Sequence, residues 1–415
     1  MVGVKKVDVL IIGGGMIVHD QILPSLYHLQ RLGQVGRILI CARHSTPLKN
    51  LAESPFIKEA FPNQSFEAFP PLKTPENEYY PELYKEVIKK LSPRQCIFIA
   101  LPDNLHYPAI MEALSNNQHV ICVKPLVQSY AQLAEIEKIA KSKGLFVGVE
   151  YHKRFDIRAL LARRNYKAGL FGEFVIGEAK MIEPYYYRHS NFQNWFTCDI
   201  SDPFTYVGCH YVDLVTFITG LKPVSVSVVG IKKNFPNGKE GYMWSQGRVV
   251  YENGGILSLI NGLGYPDIGG GSNQQGLEMF FEGKDCTATL RHDDQFRGVT
   301  YALREDLGEP KKKFYLVNTD YFRMVPWNGE GLKPVGYGYT SIEELINVVL
   351  RLENCSELEA QLNLLNEIDR NGIIATPTNS YYNELINECA RKSIASGGKI
   401  YQVDYASEPP KIIEG

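Results

Sequence analysis

Tyr206, His210 and Asp213 fall at helical spacing in "DPFTYVGCHYVDLVTFITG", followed by Phe217, and share one face of the helix that this spacing predicts. A hydroxyl, an imidazole and a carboxylate on one face are three groups that exchange protons. A fourth such group, Lys124, ends the apolar run "HVICVKPL", where a buried strand would finish on an ammonium with Pro125 behind it. Proline has no N–H to extend a ladder, so it stops the strand there and sets the backbone direction after the lysine. A further stretch is suited to binding: Gly13, Gly14 and Gly15 follow the apolar residues 7–12 and precede Ile22, Leu26 and Leu29 at helical spacing. A strand, a glycine turn and a helix start bring backbone N–H groups to a helix N-terminus, where a pyrophosphate can bind. The dinucleotide fingerprint asks for GxGxxG, and here Val18 stands at the third glycine, a position that serves helix packing. A tight βα turn without a ligand gives the same pattern.

These groups need elements to hold them. "GRILICARHS" reads as a second strand at the spacing where a dinucleotide domain places an acid on the adenosine ribose. No acid is there; Arg43, His44 and Ser45 follow Cys41 and Ala42, which suits a 2′-phosphate and favours NADP, with NAD held by other contacts as the alternative. A strand over 96–101, a turn of Pro102, Asp103 and Asn104, a helix over about 107–116 and the strand ending at Lys124 come next. Strands alternating with helices imply a parallel sheet, whose ligands gather at the carboxyl ends of the strands, and that is where Lys124 stands. Ser201 or Asp202 is a candidate N-cap for the helix carrying His210, with Pro203 in its first turn.

The chain of 415 residues is 44% hydrophobic and 22% charged, with a net charge of −2, a composition for an ordinary globular protein of two domains. No basic block would track phosphates, so nucleic acid is not an expected partner. No apolar run is long enough to cross a bilayer, and "MVGVKKVDVLIIGGG" lacks a signal-peptide pattern, so a cytoplasmic location is expected. The eight cysteines are scattered without a CxxC pair, which fits reduced thiols and no metal site.

Gly13 to Gly15, "ALPDNLHYPAIMEAL", "HVICVKPL", "FVGVEYHKRFD" and "GLFGEFVIGEAK", in this order over the first 180 residues or so, resemble the glucose-fructose oxidoreductase, inositol dehydrogenase and MocA (Gfo/Idh/MocA) family. The resemblance implies an α/β fold: an N-terminal Rossmann domain with a doubly wound parallel sheet (1–150), then an α+β domain with a large, mostly antiparallel, open-faced sheet (151–415). The second domain would bind substrate and form a homodimer or homotetramer through that sheet. Lys124 and Pro125 match the last two residues of the family's "EKP" tripeptide, with Val123 in place of its glutamate. Residues implied around the cofactor are Gly13 to Gly15 with Met16 and Ile17, then Arg43, His44 and Ser45. Leu101, Pro102, Asp103 and His106 of the next loop, with Lys124 and Pro125, complete that set.

His210 aligns with the histidine of the family's Asp-x-x-x-His pair, whereas Tyr206 stands where its aspartate is expected. The resemblance makes His210 the base that takes a hydroxyl proton and Lys124 the donor that stabilises the alkoxide, with Tyr206 or Asp213 orienting the imidazole. "EPYYYRHSNFQNWF" offers aromatic faces, amides and hydroxyls of the kind a carbohydrate ring needs, although a polar loop with aromatics in a neighbouring interface reads the same way. Substrate candidates are therefore Lys124, His152, Arg154, Tyr186, Trp195, Tyr206 and His210. The expected activity is NAD(P)-dependent oxidation of a secondary alcohol of a carbohydrate or cyclic polyol, a glycoside 3-dehydrogenase being one form. Glycoside cleavage through transient oxidation on bound nicotinamide, and a non-enzymatic nucleotide-binding sensor, remain alternatives. The rest reads as strands and turns, with "DIGGGSNQQG" as a glycine loop.

Overall fold

The computed structural model describes residues 5–267, 273–284, 287–293, 299–302, 314–317 and 320–415; residues 268–272 of the expected glycine loop lie outside the described residues. The chain packs as two compact units that are not consecutive halves. The first comprises Met1–Val127, Ala131–Phe155 and Phe322–Ser380, the second Gln128–Tyr130, Asp156–Tyr321 and Tyr381–Gly415.

In the first unit β1 (Val7–Ile12), β2 (Val35–Cys41), β3 (Glu67–Phe69), β4 (Cys96–Ile99), β5 (His119–Val123) and β6 (Val147–Glu150) form one sheet. Its order is β3-β2-β1-β4-β5-β6, and every neighbouring pair is parallel. Such strands are covered on both faces, which is why "CIFI" of β4 is buried at every position rather than alternating. Helices α1 (Leu23–Arg31), α2 (Ser45–Glu53) and α3 (His106–Ser115) follow β1, β2 and β4. The late segment returns to this core because helix Tyr337–Glu353 has an apolar stripe: Ile342, Leu345, Ile346, Val349 and Leu352 are fully buried among Ile11 and Phe146. Each such side chain contributes roughly 1.5–3 kcal/mol. Gly148 makes the approach possible, since a Cβ there would lie 2.7 Å from Leu345 Cδ2. The strand order reverses between β1 and β4, and that switch point at the carboxyl edge is where such sheets take ligands.

The second unit is built on β7 (Glu173–Pro184), β8 (Pro223–Asn234), β9 (Glu240–Tyr251), β10 (Ile256–Tyr265), β11 (Gln274–Glu282), β12 (Thr287–Asp293), β13 (Tyr401–Asp404) and β14 (Lys411–Glu414). They pair in the order β12-β11-β7-β10-β9-β8-β13-β14, with β7 and β10 the one parallel pair. One face is covered by α4 (Ile157–Lys167), α5 (Cys209–Thr219) and helix Pro377–Ala395, through Ala159, Val212, Val215, Leu385 and Ile386. The other face is open: Val229, Ile231, Ile260 and Phe280 are 50%, 58%, 39% and 41% exposed. The last helix stops before Gly397 and Gly398, which adopt positive φ of 74° and 97°, as its glycine signal predicts. No described helix is long and apolar enough to cross a membrane.

Candidate active site

β1 leaves its sheet at Gly13, whose N–H donates to the Cys41 carbonyl at 2.8 Å. Its φ is +119°, and a Cβ there would lie 2.1 Å from the Ala100 carbonyl oxygen, so only glycine fits. Gly15 has open space at its Cβ position, and its carbonyl accepts from Val18 and His19 N–H at 3.1 and 3.2 Å. A backbone pressed against β4 at Gly13 and open at Gly15 fits a pyrophosphate laid across the turn. Met16 is 38% exposed beside it and Ile17 half-buried. At the missing third glycine, Val18 is fully buried, and Val18–Ile22 winds as a π-helix before α1. The wider i→i+5 turn is a distortion that apolar periodicity does not disclose.

Beyond β2 a cleft of the first unit is lined by Cys41, Ala42, Arg43, Tyr80, Tyr84 and Leu101. Arg43 is exposed, its guanidinium 5.9 Å from the centroid of the Tyr79 ring. Burial pushes the Cys41 thiol up to about 12, so it lines the cleft as an apolar group. Ser45 is buried and donates to the Thr74 carbonyl at 2.8 Å, while His44 precedes α2 without capping it. Tyr80 and Tyr84 were not foreseen: residues 70–90 carry no clear period, and only the folded chain returns them to the end of β2. Asp103 is buried in a short turn after Pro102. His106 has Nδ1 2.8 Å from the Pro125 carbonyl and Nε2 2.8 Å from the Leu101 carbonyl. Its ring thus straps the loop after β4 to the loop after β5.

Lys124 is half-buried directly after β5, and its peptide bond to Pro125 is cis. In the β5–β6 register Val123 faces Glu150, a carboxylate that sequence reading passed over because it ends an apolar strand. Glu150 Oε1 lies 2.6 Å from Ser341 Oγ and 3.0 Å from Gln21 Nε2, and Oε2 lies 3.0 Å from His152 Nδ1. The His152 ring stacks on Tyr337 at 5.7 Å. Arg154 is 1% exposed and donates to Asn379 Oδ1 at 3.3 Å and to the Gly372 carbonyl at 3.4 Å, contacts that brace the segment after β6.

In the second unit Asp202 caps the His210 segment, its carboxylate accepting from Thr205 N–H at 3.0 Å and Thr205 Oγ1 at 2.7 Å. Burial lifts the Asp202 carboxyl above its ordinary range, against the pull of those two hydrogen bonds. Phe204–Gly208 is a second π-helix, closed by Cys209 N–H on the Phe204 carbonyl, and α5 begins only at Cys209. Tyr206 and His210 are therefore separated by a widened turn, not by the regular α-helical turn expected. Gly208 meets the buried Asn261 closely, a Cβ there lying 2.7 Å from Oδ1. Tyr206 sits in an aromatic cluster, with ring centroids 5.4, 5.8 and 5.4 Å from Phe192, Trp195 and Phe196. His210 is 2% exposed. Asp213 accepts from Tyr382 Oη at 3.1 Å and Asn383 Nδ2 at 2.7 Å, which ties α5 to helix Pro377–Ala395. Trp195 and Tyr206 are thus brought together, whereas Tyr186 is 47% exposed with its N–H on Asp267 Oδ1 at 2.9 Å. No cluster of three metal-ligating side chains occurs among the described residues.

Residues 7–151 match the model of the GFO_IDH_MocA oxidoreductase family, described as an NAD-binding Rossmann fold. An uncharacterised oxidoreductase of Schizosaccharomyces pombe is 31% identical over 130 residues, which are 30% of this chain and 34% of that protein. The match thus spans about a third of that relative. A D-glucoside 3-dehydrogenase of Escherichia coli is 24% identical over 184 residues, 39% of this chain and 50% of its own. Among solved structures, an inositol dehydrogenase homologue of Azotobacter vinelandii, complexed with NADH and myo-inositol, superposes with a TM-score of 0.63 at 15% identity. That likeness covers 96% of this chain and 98% of the other, and it establishes a shared fold.

Proposed function

We propose, for a chain whose residues 7–151 belong to the Gfo/Idh/MocA family of NAD-binding Rossmann oxidoreductases, that the whole protein transfers hydride between a nicotinamide cofactor and a secondary alcohol of a carbohydrate or cyclic polyol. One observation carries the reading: the glycine turn after β1 and Lys124 after β5 stand at the same carboxyl edge of one parallel sheet. Gly13 to Ile17 would hold the pyrophosphate, and the cleft at Arg43, Tyr80 and Tyr84 the adenosine end. The cofactor, when bound, supplies the hydride acceptor. His210 takes the hydroxyl proton, and Lys124 donates a hydrogen bond to the same oxygen as charge develops on it. In the opposite direction the same pair returns a proton to a ketone oxygen. NADP is placed ahead of NAD, because β2 ends without an acid and with the exposed Arg43 at the cleft.

The substrate class is supported by Trp195 and Tyr206, half-buried aromatics packed against the buried Phe192 and Phe196 and able to offer ring faces to a sugar, and by the relatives named for a glucoside and for myo-inositol. The test is absorbance of reduced nicotinamide, with NAD and NADP in parallel, against hexoses, glycosides and inositols. Turnover on at least one alcohol is expected. Binding of nicotinamide without net reduction on any substrate would overturn the dehydrogenase reading in favour of elimination through transient oxidation, or of a sensor.

A further inference from the structure

Of the three residues expected around a 2′-phosphate, the fold leaves one in the cleft. Ser45 is fully buried, with its hydroxyl donating to the Thr74 carbonyl at 2.8 Å, and His44 is half-buried with Nδ1 enclosed by protein. Arg43 is exposed and lines the cleft beside Cys41 and Ala42. A phosphate monoester carries about −1.5 to −2 charge near neutral pH, more than one guanidinium balances. The chain after β3 brings a second cation. Residues 69–80 are tied back over the end of β2: Ala42 N–H donates to the Phe69 carbonyl at 2.8 Å, Lys49 pairs with Glu76 at 3.2 Å, and Tyr80 N–H donates to the Arg43 carbonyl at 2.7 Å. Tyr80, Glu82, Tyr84 and Lys85 thereby join Arg43 in lining the cleft.

Glu82 stands at the N-cap position of the short helix Leu83–Ile88 without capping it; its carboxylate pairs with the Lys85 ammonium instead. That contact raises Lys85 above its ordinary value, so the ammonium stays charged at neutral pH. Burial is the main cause that lifts the Tyr84 phenol above its ordinary 10, with Glu82 and Glu112 adding to it and Lys85 and Arg43 opposing it. Tyr84 thus remains a neutral hydroxyl, and the two cations act on the same ring from distant segments. The side chains of Lys85 and Glu82 are 42% and 64% exposed, and an ion pair so open to water is weak enough for a phosphate dianion to replace the carboxylate. We infer that Lys85, returned to the end of β2 by the chain after β3, joins Arg43 in holding the 2′-phosphate of NADP, and that Glu82 is the counter-ion this phosphate displaces. The inference rests on the proposed dinucleotide site.

Calorimetric titration with NAD, NADP, 5′-AMP and adenosine 2′,5′-bisphosphate reads this contact without any turnover. The wild type is expected to bind each 2′-phosphorylated ligand more tightly than its partner lacking that group, a preference that shrinks as salt is added. Lys85→Met and Arg43→Met are each expected to cut the preference by about tenfold, the loss of one charge-assisted hydrogen bond. Glu82→Gln removes the competing carboxylate and is expected to raise it by about threefold. A preference unmoved in folded Lys85→Met, or lowered in Glu82→Gln, overturns the inference. A wild type that binds 5′-AMP and adenosine 2′,5′-bisphosphate equally overturns it without recourse to any variant, while NAD-dependent turnover on an alcohol would keep the dehydrogenase reading. Failure of all four ligands to bind would sink both.

Discussion

Lys124→Ala and His210→Asn are expected to lower kcat/KM by about 10²–10⁴-fold each, because each removes a group proposed to act on the reacting oxygen. Steady-state kinetics on the best alcohol checks this, and wild-type turnover in either variant would remove that residue from the mechanism. Other residues shape stability. His28 is 5% exposed, edge-on to Trp327 at 5.1 Å, and burial with Arg31 and Lys333 nearby lowers it to about 4 from 6.5. The unfolded chain then takes up a proton between those values and the folded chain does not. The His28 contribution is therefore whole above about pH 6.5 and is lost as pH falls toward 4. His28→Phe is expected to flatten the fall in Tm between pH 7 and pH 5; parallel curves would refute it. Asp156 runs the other way. Burial raises its carboxyl, but hydrogen bonds from His292, at 2.6 Å, and Arg158 outweigh that and hold it at about 2. Its contribution is present above the ordinary 3.8 and is lost as pH falls through 2, so Asp156→Asn should unfold at higher pH on acid titration.

At the scale of elements, the glycine turn is the sharpest case. Gly13→Ala must place a methyl 2.1 Å from the Ala100 carbonyl oxygen in a backbone conformation that alanine avoids. Dinucleotide affinity, measured by fluorescence titration, is expected to fall by at least tenfold, and unchanged affinity would mean that the pyrophosphate sits elsewhere. The glycine turn, the strand stopped ahead of Pro125 and a cap at Ser201 or Asp202 were legible in sequence, because glycine, proline and a capping side chain act through local backbone rules, while the choice of Asp202 came from the structure. The two π-turns were not. They lie at Val18–Ile22 and Phe204–Gly208, and no local spacing of apolar residues marks the extra residue in each turn.

At the scale of the whole molecule, the open face of the second sheet supports the proposed homodimer or homotetramer, since Val229, Ile231, Ile260 and Phe280 are exposed on it. Light scattering is expected to give a dimer or tetramer, and Ile260→Lys with Phe280→Lys to shift it toward monomer. A monomeric wild type would refute the proposal. Alternating apolar runs and turn residues by themselves determined the two sheets and their strand types, because burial on one face or two writes a period into the sequence. Only the tertiary structure decided that Phe322–Ser380 returns to the first unit, that Tyr80 and Tyr84 line the cleft at Arg43, and that Gln21, Ser341 and His152 converge on Glu150. Those contacts join residues far apart along the chain, and no local period or spacing records which distant side chain will fill a place beside a buried carboxylate.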